Sequence, residues 1–537
     1  MKNITFPKGC FWYKSVILLA FSTVIFSGCK KDKITPITSV VTPPPTSNSS
    51  RSDLTKDSIF LYAKEVYLWN DALPTYDVFN PRKYNTSTNQ LTNFNAELFA
   101  ITQLKINPTT GKPFEFLPER PTSPKYSYIE DLVASGKLTF APDESSAVGL
   151  DGQGDDLGYS LALIGTNSSY KIYFQYTSPG SPSALAGLGR GDYFDEINGR
   201  KVGTDFPSEQ SFINSAINES TITIAGQKKN GTTFKVTLNK AKYNSSPIYK
   251  DTILTAGIKK VGYLSYARFS NTENSVAALN NVFAKFTSAG VKDLIIDLRY
   301  NGGGFVSTAQ HLLNLIAPTS LNTKTMFSEA YNSTMQSGAA TILKNQVLKD
   351  QNGKSQFSNG RIVTYADLNY SVAANTFKFN KEGSLTDVTK VVFITTDRTA
   401  SASELVINSL KPYLDVKIVG KKSYGKPVGF FPIRIDKYDV YYSMFSTTNS
   451  LGQGNYFDGF PVDSEKADDV TRDFGNPQEI STSAALAYIN TGLFTNSTSS
   501  KTMSINGVSR TPESVMIKEV FEPAGFKGMI ATPPKMK

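Results

Sequence analysis

The chain has 537 residues, a formal net charge of +10, one histidine and two cysteines. A single histidine excludes a His-Glu-x-x-His zinc site, and two cysteines exclude a disulfide-rich scaffold. The positive charge is spread along the chain without a dense basic run, which argues against nucleic-acid binding.

The N-terminal 28 residues have the features of a secretory signal peptide. Three lysines precede an apolar run at 15–26, which is shorter than the ~20 residues that a membrane-spanning helix needs. Ser27 and Gly28 precede Cys29, and this arrangement resembles a bacterial lipobox. The resemblance implies that Cys29 carries lipid and holds the protein in the bacterial cell envelope, facing the periplasm or the exterior. An ordinary signal peptide with an incidental cysteine is the alternative.

The next two segments differ sharply in composition. Residues 29–52 are rich in Thr, Pro and Ser, which predicts a flexible linker. Residues 53–139 begin with DSIFLYAKEVYLWNDALP, whose apolar residues recur at helical spacing. This pattern predicts a helical N-terminal domain whose aromatic side chains form its core.

Residues 140–243 show short apolar runs separated by turns, which predicts a β domain. The stretch SPGSPSALAGLGRGDYFDEINGRKV, residues 178–202, resembles the second half of a PDZ domain. Leu157, Gly158 and Tyr159 resemble the carboxylate-binding loop of that domain. The resemblance implies that a peptide adds a strand to the sheet edge while backbone N–H groups bind its terminal carboxylate. An ordinary β domain with a glycine-rich turn is the alternative.

Residues 244–490 alternate between strand and helix patterns, which predicts a layered α/β core. The buried run of VKDLIIDL leads into RYNGGG at 299–304, where glycines would let the backbone approach a substrate closely. A phosphate-binding loop is disfavoured, because no Gly-Lys-Ser/Thr follows. Residues 319–388 look irregular and predict an insertion or lid. Residues 491–537 form a polar tail to which the pattern assigns no role.

Residues 391–428 predict a strand, a turn, a helix, a second strand and a loop. Ser401 lies at the strand-to-helix turn, where unpaired N–H groups such as that of Ala402 can stabilise an oxyanion. A serine nucleophile needs a base. His311 lies in an apolar helical pattern that favours a structural role, whereas Lys426 would require burial to lower its pKa towards ~7–8. The plain alternatives are a helix cap for the serine and a solvated charge for the lysine.

Two motifs change the balance between these interpretations. TASASE at 399–404 is followed by GKKSYGK at 420–426, which places the serine and the lysine 25 positions apart. DLRYNGGG at 297–304 precedes them. The motifs resemble the signatures of the carboxyl-terminal processing peptidases, or tail-specific proteases, and the similarity extends roughly over residues 53–489. It implies a multidomain α+β protein with a ClpP/crotonase-like core, and neither cofactor nor metal.

By this resemblance, Ser401 is the nucleophile and Lys426 the general base, while the N–H groups of Ala402 and Gly303 bind the oxyanion. Several family members carry a glutamine four positions after the lysine, where this chain has Phe430. The resemblance therefore predicts an exported, lipid-anchored serine endopeptidase that cleaves peptide bonds near protein C termini. It is expected to bind protein or peptide substrates by their C termini and to bind no nucleic acid. A catalytically weak or inactive peptide-binding lipoprotein, suggested by Phe430, is the alternative.

Overall fold

The computed structural model describes residues 49–133, 148–349 and 354–494, together with 503–505, 508–510, 516–521, 528–531 and 534–537. These residues belong to one compact unit, 45–537. The predicted signal peptide, Cys29 and most of the predicted linker lie outside the described residues. Within the described ranges, no helix combines the length and the apolar character that crossing a membrane requires.

The N-terminal region is mainly helical, as its periodicity predicts. Helix α1 begins at Arg51, because the Ser50 side chain accepts a hydrogen bond from the Asp53 N–H. The predicted linker, 29–52, is therefore two residues too long. The elements are α1 (Arg51–Val66), a 3₁₀ turn (Asn70–Ala72), α2 (Tyr76–Phe79), a 3₁₀ turn (Pro81–Lys83), α3 (Gln90–Thr102) and β1 (Tyr128–Asp131).

The next region contains a sheet with its own apolar core. Its elements are β2 (Gln153–Asp156), β3 (Tyr159–Thr166), β4 (Ser169–Thr177), α4 (Pro182–Leu185), β5 (Tyr193–Ile197), β6 (Arg200–Lys201), α5 (Phe206–Ala216), β7 (Thr221–Gln227), β8 (Thr233–Asn239) and β9 (Ala241–Asn244). The strand-and-turn prediction overlooks α5. Phe206, Ile213 and Ala216 lie at helical spacing and are buried against the sheet.

The third region supplies the central sheet and the layers around it. Its strands are β10 (Ile248–Ala256), β11 (Lys259–Tyr266), β12 (Asp293–Asp297), β13 (Gly303–Phe305), β14 (Thr325–Tyr331), β15 (Phe357–Ser358), β16 (Arg361–Ile362), β17 (Thr376–Lys378), β18 (Lys390–Thr395), β19 (Asp415–Gly420), β20 (Val428–Gly429), β21 (Ile433–Ile435), β22 (Tyr438–Tyr441), β23 (Phe445–Thr448) and β24 (Ser464–Glu465). Its α-helices are α6 (Thr272–Ala289), α7 (Val306–Ile316), α8 (Ser333–Gln336), α9 (Ala402–Leu410) and α10 (Ile480–Thr491), and 3₁₀ turns cover Thr319–Leu321, Thr341–Asn345 and Tyr365–Asp367.

The central sheet has the order β10-β11-β12-β18-β19-β24, and all pairs except β10–β11 are parallel. Leu294 and Ile296 of β12 face the core that contains α6, α7 and α9, whereas Ile295 faces the core that contains α10. Both faces are covered, as expected for a parallel sheet. The layered α/β prediction is therefore confirmed for this region.

Segments that look irregular in the sequence also form sheet. β14, from the predicted insertion 319–388, joins a four-stranded sheet of order β17-β14-β23-β20. β1 of the N-terminal region pairs with β22, and the apolar side of α1 packs into the same core as α7 and α9. The N-terminal helices are thus part of the main body.

The C-terminal segment contains strands that the sequence pattern does not predict. They are β25 (Met503–Ile505), β26 (Val508–Arg510), β27 (Met516–Phe521) and β28 (Gly528–Ile530). β25 pairs with β26, β27 pairs with β3, and β28 pairs with β13.

Candidate active site

The predicted strand, turn and helix around Ser401 are confirmed as β18, a turn and α9. Buried hydrogen bonds hold the turn in place: the Ala400 N–H donates to the Asn301 carbonyl at 3.1 Å, and the Thr399 hydroxyl donates to the Leu298 carbonyl at 2.7 Å. Ser401 has a φ of +61°, an uncommon conformation for a residue other than glycine. Its side chain is fully buried, and its hydroxyl has no hydrogen-bonding partner among the described residues.

Gly303 brings the glycine-rich strand β13 against this turn. A Cβ atom added to Gly303 would lie 3.0 Å from both the Ala402 nitrogen and the Ser401 Cβ, and φ at Gly303 is +110°. The position therefore requires glycine for both space and backbone conformation. In this state the Gly303 N–H donates to the Asn301 side-chain oxygen at 2.9 Å. The two predicted oxyanion donors are neighbours, but only the Ala402 N–H lies at the open end of a helix.

Lys426 is buried in an aromatic pocket. Its Nζ lies 4.3 Å from the centroid of the Phe430 ring and donates to the Tyr126 carbonyl at 3.4 Å. Burial lowers the pKa of Lys426 to about 7, although the carboxylates of Glu115 and Glu404 act in the opposite direction. The residue that replaces the family glutamine thus contributes an aromatic face to the pocket.

Glu404 joins the serine turn to the lysine loop. Its Oε1 accepts hydrogen bonds from the Ser423 hydroxyl at 2.5 Å and from the Gly425 N–H at 2.7 Å. Its Oε2 accepts from the backbone N–H groups of Ser401 and Lys426, each at 2.8 Å. The two backbone nitrogens therefore lie within twice that distance of each other. Burial raises the pKa of Glu404, and these four hydrogen bonds favour its ionised form.

The motifs that predict the dyad do not include a role for Glu404, although the sequence contains a local signal for it. A glutamate three residues after a serine at a helix start is the capping-box pattern. The Ser401 N–H makes the corresponding hydrogen bond.

His311 makes a different pairing. It lies on α7, and its Nδ1 is 2.6 Å from the Glu382 carboxylate. Because the Ser401 hydroxyl has no partner among the described residues, it is not hydrogen-bonded to either His311 or Lys426 in this state. Ser403 lies in the first turn of α9, where its hydroxyl donates to the Asn301 carbonyl at 2.9 Å.

The predicted carboxylate loop, Leu157, Gly158 and Tyr159, lies at the start of β3. The Leu157 carbonyl accepts from the Ser183 N–H and hydroxyl, at 3.2 and 2.6 Å, and the Tyr159 hydroxyl donates to a carbonyl at the end of α5. The Asp156 carboxylate lies next to this loop and accepts a hydrogen bond from the Tyr243 hydroxyl at 2.7 Å. Burial raises the pKa of Asp156, although Tyr243 and the Gly158 N–H act in the opposite direction. The outer edge of β3, where an added peptide would pair, is occupied by β27.

Buried charges connect this sheet region to the glycine-rich segment. Arg190 pairs with Asp468 at 2.5 Å and donates to the Tyr300 hydroxyl at 2.8 Å. Arg299 pairs with Asp468 at 2.7 Å and with Glu479 at 3.1 Å. Although burial opposes it, the two guanidinium groups hold the pKa of Asp468 well below its usual range. This network of ion pairs holds the DLR part of the motif in a fixed position.

The core of the chain matches a known family. Residues 260–450 match Peptidase family S41. These residues are an S41 peptidase domain. Curated relatives include a "Probable CtpA-like serine protease" from Staphylococcus aureus (strain COL), which is 24% identical over 281 residues, covering 51% of this chain and 45% of the relative. The counterpart from Staphylococcus epidermidis (strain ATCC 35984) is 23% identical over 283 residues. The alignments thus span about half the length of these relatives.

The fold of the S41 domain and of its surroundings also occurs in a solved structure. The crystal structure of a candidate S41 protease from Bacteroides fragilis NCTC 9343 superposes with a TM-score of 0.52 and 22% sequence identity. The superposition covers 81% of this chain and 97% of the other. The likeness shows a shared fold that reaches well beyond residues 260–450.

Proposed function

We propose that this chain is a serine endopeptidase of the C-terminal processing type that uses a Ser401–Lys426 dyad. The observation that carries the proposal is the pair of buried groups joined through Glu404. Lys426 has a pKa lowered by burial to about 7, and a single carboxylate oxygen joins its loop to the turn that carries Ser401. The Ser401 hydroxyl has no hydrogen-bonding partner in the part of the chain that the structure describes. A base that is half neutral at pH 7 can accept the proton of a serine.

The reaction follows from this arrangement. Neutral Lys426 accepts the Ser401 proton as Oγ attacks the peptide carbonyl, and it then protonates the leaving amine. The Ala402 N–H, at the positive end of α9, stabilises the oxyanion. The Gly303 N–H joins it when it leaves the Asn301 side chain. Water then hydrolyses the acyl-enzyme by the same proton transfers, which releases the carboxylate product and restores Ser401.

The substrate is a protein or peptide presented by its C terminus. The region of β2–β9 acts as a PDZ-like module, in which β3 pairs with the substrate strand and the backbone of Leu157, Gly158 and Tyr159 binds the terminal carboxylate. The Gly158 N–H would then donate to the substrate carboxylate in place of the Asp156 carboxylate.

Lipid on Cys29 anchors the protein in the bacterial envelope, with residues 30–50 as the tether. This part of the proposal rests on the sequence pattern. We expect Cys29→Ser to move the protein from the detergent phase to the aqueous phase in a partitioning assay. Equal partitioning of the variant and the unmodified protein would rule out the lipid anchor.

The activity is tested with an unfolded protein substrate. The unmodified protein should cleave it, whereas Ser401→Ala should reduce cleavage to background. Ser403→Ala is the matched control, because it removes a neighbouring hydroxyl whose partner is the Asn301 carbonyl, and it should retain activity. If all three proteins showed the same background cleavage, the peptidase proposal would fail.

A further inference from the structure

The C-terminal strand β28 lies beside the candidate catalytic serine. It pairs in parallel with β13, with Gly528 opposite Gly303, and the Gly528 N–H donates to the Gly302 carbonyl at 3.2 Å. A Cβ atom added to Gly303 would overlap the Gly528 carbonyl oxygen and would lie 3.0 Å from the Ser401 Cβ. The backbone of β28 therefore lies close to the turn that carries Ser401.

The other side of β28 pairs with the loop that follows the candidate base. The Phe430 N–H donates to the Met529 carbonyl, and the Ala531 N–H donates to the Phe430 carbonyl, each at 3.1 Å. Phe430 is four residues after Lys426 and contacts its amine. Met529 is fully buried in the main core. One short strand thus fills the gap between the two segments that carry the active-site motifs.

A second strand of the same tail occupies the predicted peptide-binding edge. β27 runs antiparallel to β3, with Met516 opposite Gly165 and Phe521 opposite Leu161. This is the pairing that strand addition by a peptide ligand would use. Seven peptide steps separate Phe521 from Gly528, so the two strands are at most about 25 Å apart along the chain.

The direction of the tail distinguishes it from a substrate. A substrate held by its C-terminal carboxylate at the start of β3 would reach the catalytic groups with residues that precede its bound end. The tail meets β3 first and the catalytic groups afterwards, because β27 precedes β28. It therefore covers both places in the reverse order, as a blocking segment would.

We propose that the backbone groups of Gly302–Phe305 and Phe430 form a slot for one extended polypeptide strand. We propose further that β28 occupies this slot and β27 occupies the β3 edge, so that the C-terminal tail acts as an intramolecular inhibitor. The proposal rests on the proposed peptidase function, since the slot is the place where a substrate strand passes Ser401. Its ligand is an extended peptide held by main-chain hydrogen bonds. Activation then requires the tail to leave.

Population arithmetic gives the expected size of the effect. The tail is tethered, so it competes with external peptide at a high effective concentration. The apparent affinity for a peptide falls by the fraction of molecules whose slot is open. Met529→Ala removes a fully buried side chain from the tail strand alone and should raise the open fraction about tenfold or more.

Binding is measured in the full chain with Ser401→Ala, so that no cleavage occurs. The probe is a fluorescently labelled peptide with the sequence of residues 516–531, followed by anisotropy. Adding Met529→Ala should tighten binding about tenfold. Met326→Ala is the matched control, because Met326 is equally buried in the same core but lies on β14. It should lower stability without tightening binding.

The same substitutions, made without Ser401→Ala, are then compared for cleavage. Met529→Ala should raise kcat/KM for an unfolded substrate about tenfold, and Met326→Ala should not raise it. If Met529→Ala tightened peptide binding but none of the proteins cleaved the substrate, the slot would be supported and the peptidase proposal would be refuted. Cleavage by the unmodified protein, with equal peptide binding and no gain in kcat/KM for Met529→Ala, would show a permanent structural strand and overturn the proposal.

Hydrogen exchange tests the proposal even if Met529→Ala fails to fold. In the full chain carrying only Ser401→Ala, excess unlabelled peptide should displace the tail and speed exchange of the amides at 528–531. Unchanged protection of these amides at saturating peptide would likewise overturn the proposal.

Discussion

Replacing Lys426 with arginine tests the central feature of the proposed site. Arginine stays protonated at any working pH, so it cannot accept the Ser401 proton. The structure gives the size of the effect: burial moves the pKa of Lys426 from 10.5 to about 7. At pH 7 about half of the molecules then carry a neutral amine, compared with roughly one in three thousand for an ordinary lysine. The loss in kcat/KM should be about 10²–10⁴-fold, the usual contribution of a positioned base.

The assay is kcat/KM as a function of pH for the unmodified protein, Lys426→Arg and His311→Gln. For the unmodified protein the rate should rise with pH and level off above a midpoint near 7, because only the neutral amine is active. Lys426→Arg should stay low at every pH. His311→Gln should keep the profile of the unmodified protein, because His311 pairs with Glu382. Thermal unfolding of each variant identifies losses that are due to misfolding.

The refuting result is specific. Near-normal cleavage by Lys426→Arg, together with loss of cleavage in His311→Gln, would assign the base to the histidine. A midpoint close to that of free lysine would instead mean that burial does not tune the amine, and the argument from the aromatic pocket would fail.

Three further predictions concern neighbouring features. Glu404→Gln should lower the free energy of unfolding by about 1–3 kcal/mol in urea titrations and reduce kcat, because an amide cannot accept all four hydrogen bonds; unchanged kcat would separate Glu404 from catalysis. Gly303→Ala should lose both stability and activity through overlap and strain. Gly111 has a φ of +67° and no atom of the described residues within 4 Å of an added Cβ, so Gly111→Ala should show only the ~1–3 kcal/mol of strain in thermal unfolding. The pKa of Asp468 beside Arg299 is depressed in the folded state, so ionised Asp468 should contribute to the free energy of unfolding above pH ~4 and this contribution should be lost at lower pH. Asp468→Asn should flatten this pH dependence in urea unfolding.

The parts of the site that the sequence predicts are those with local signatures. The strand, turn and helix around Ser401 follow from a buried run, a polar turn and a helical pattern within a few residues. The apolar residues on either side of Lys426 predict that its pKa is lowered. Its cause could not be predicted in detail, because Tyr126 and Glu115 reach the lysine from about 300 residues earlier in the chain.

The strands of the C-terminal tail are not predicted by the sequence pattern. β27 and β28 are stabilised by pairing with edges formed far earlier in the chain, so neither needs an apolar alternation of its own. Helix α5 is not predicted for a different reason. Phe206, Ile213 and Ala216 form a sparse apolar stripe among polar residues, and this pattern resembles a loop between strands.

The burial of α1 in the main core determines how small a working fragment can be. The Tyr442 hydroxyl donates to the Ile59 carbonyl at 2.8 Å, the Leu68 N–H donates to the Ser443 carbonyl at 2.7 Å, and β1 completes the sheet of β22. A recombinant piece cut at 260–450 would expose the apolar surface that α1 covers and would also lack α10. Such a piece should aggregate, whereas a chain that starts at residue 49 retains every contact of the N-terminal helices described above. The segment that matches the family is thus shorter than the segment that we expect to fold on its own.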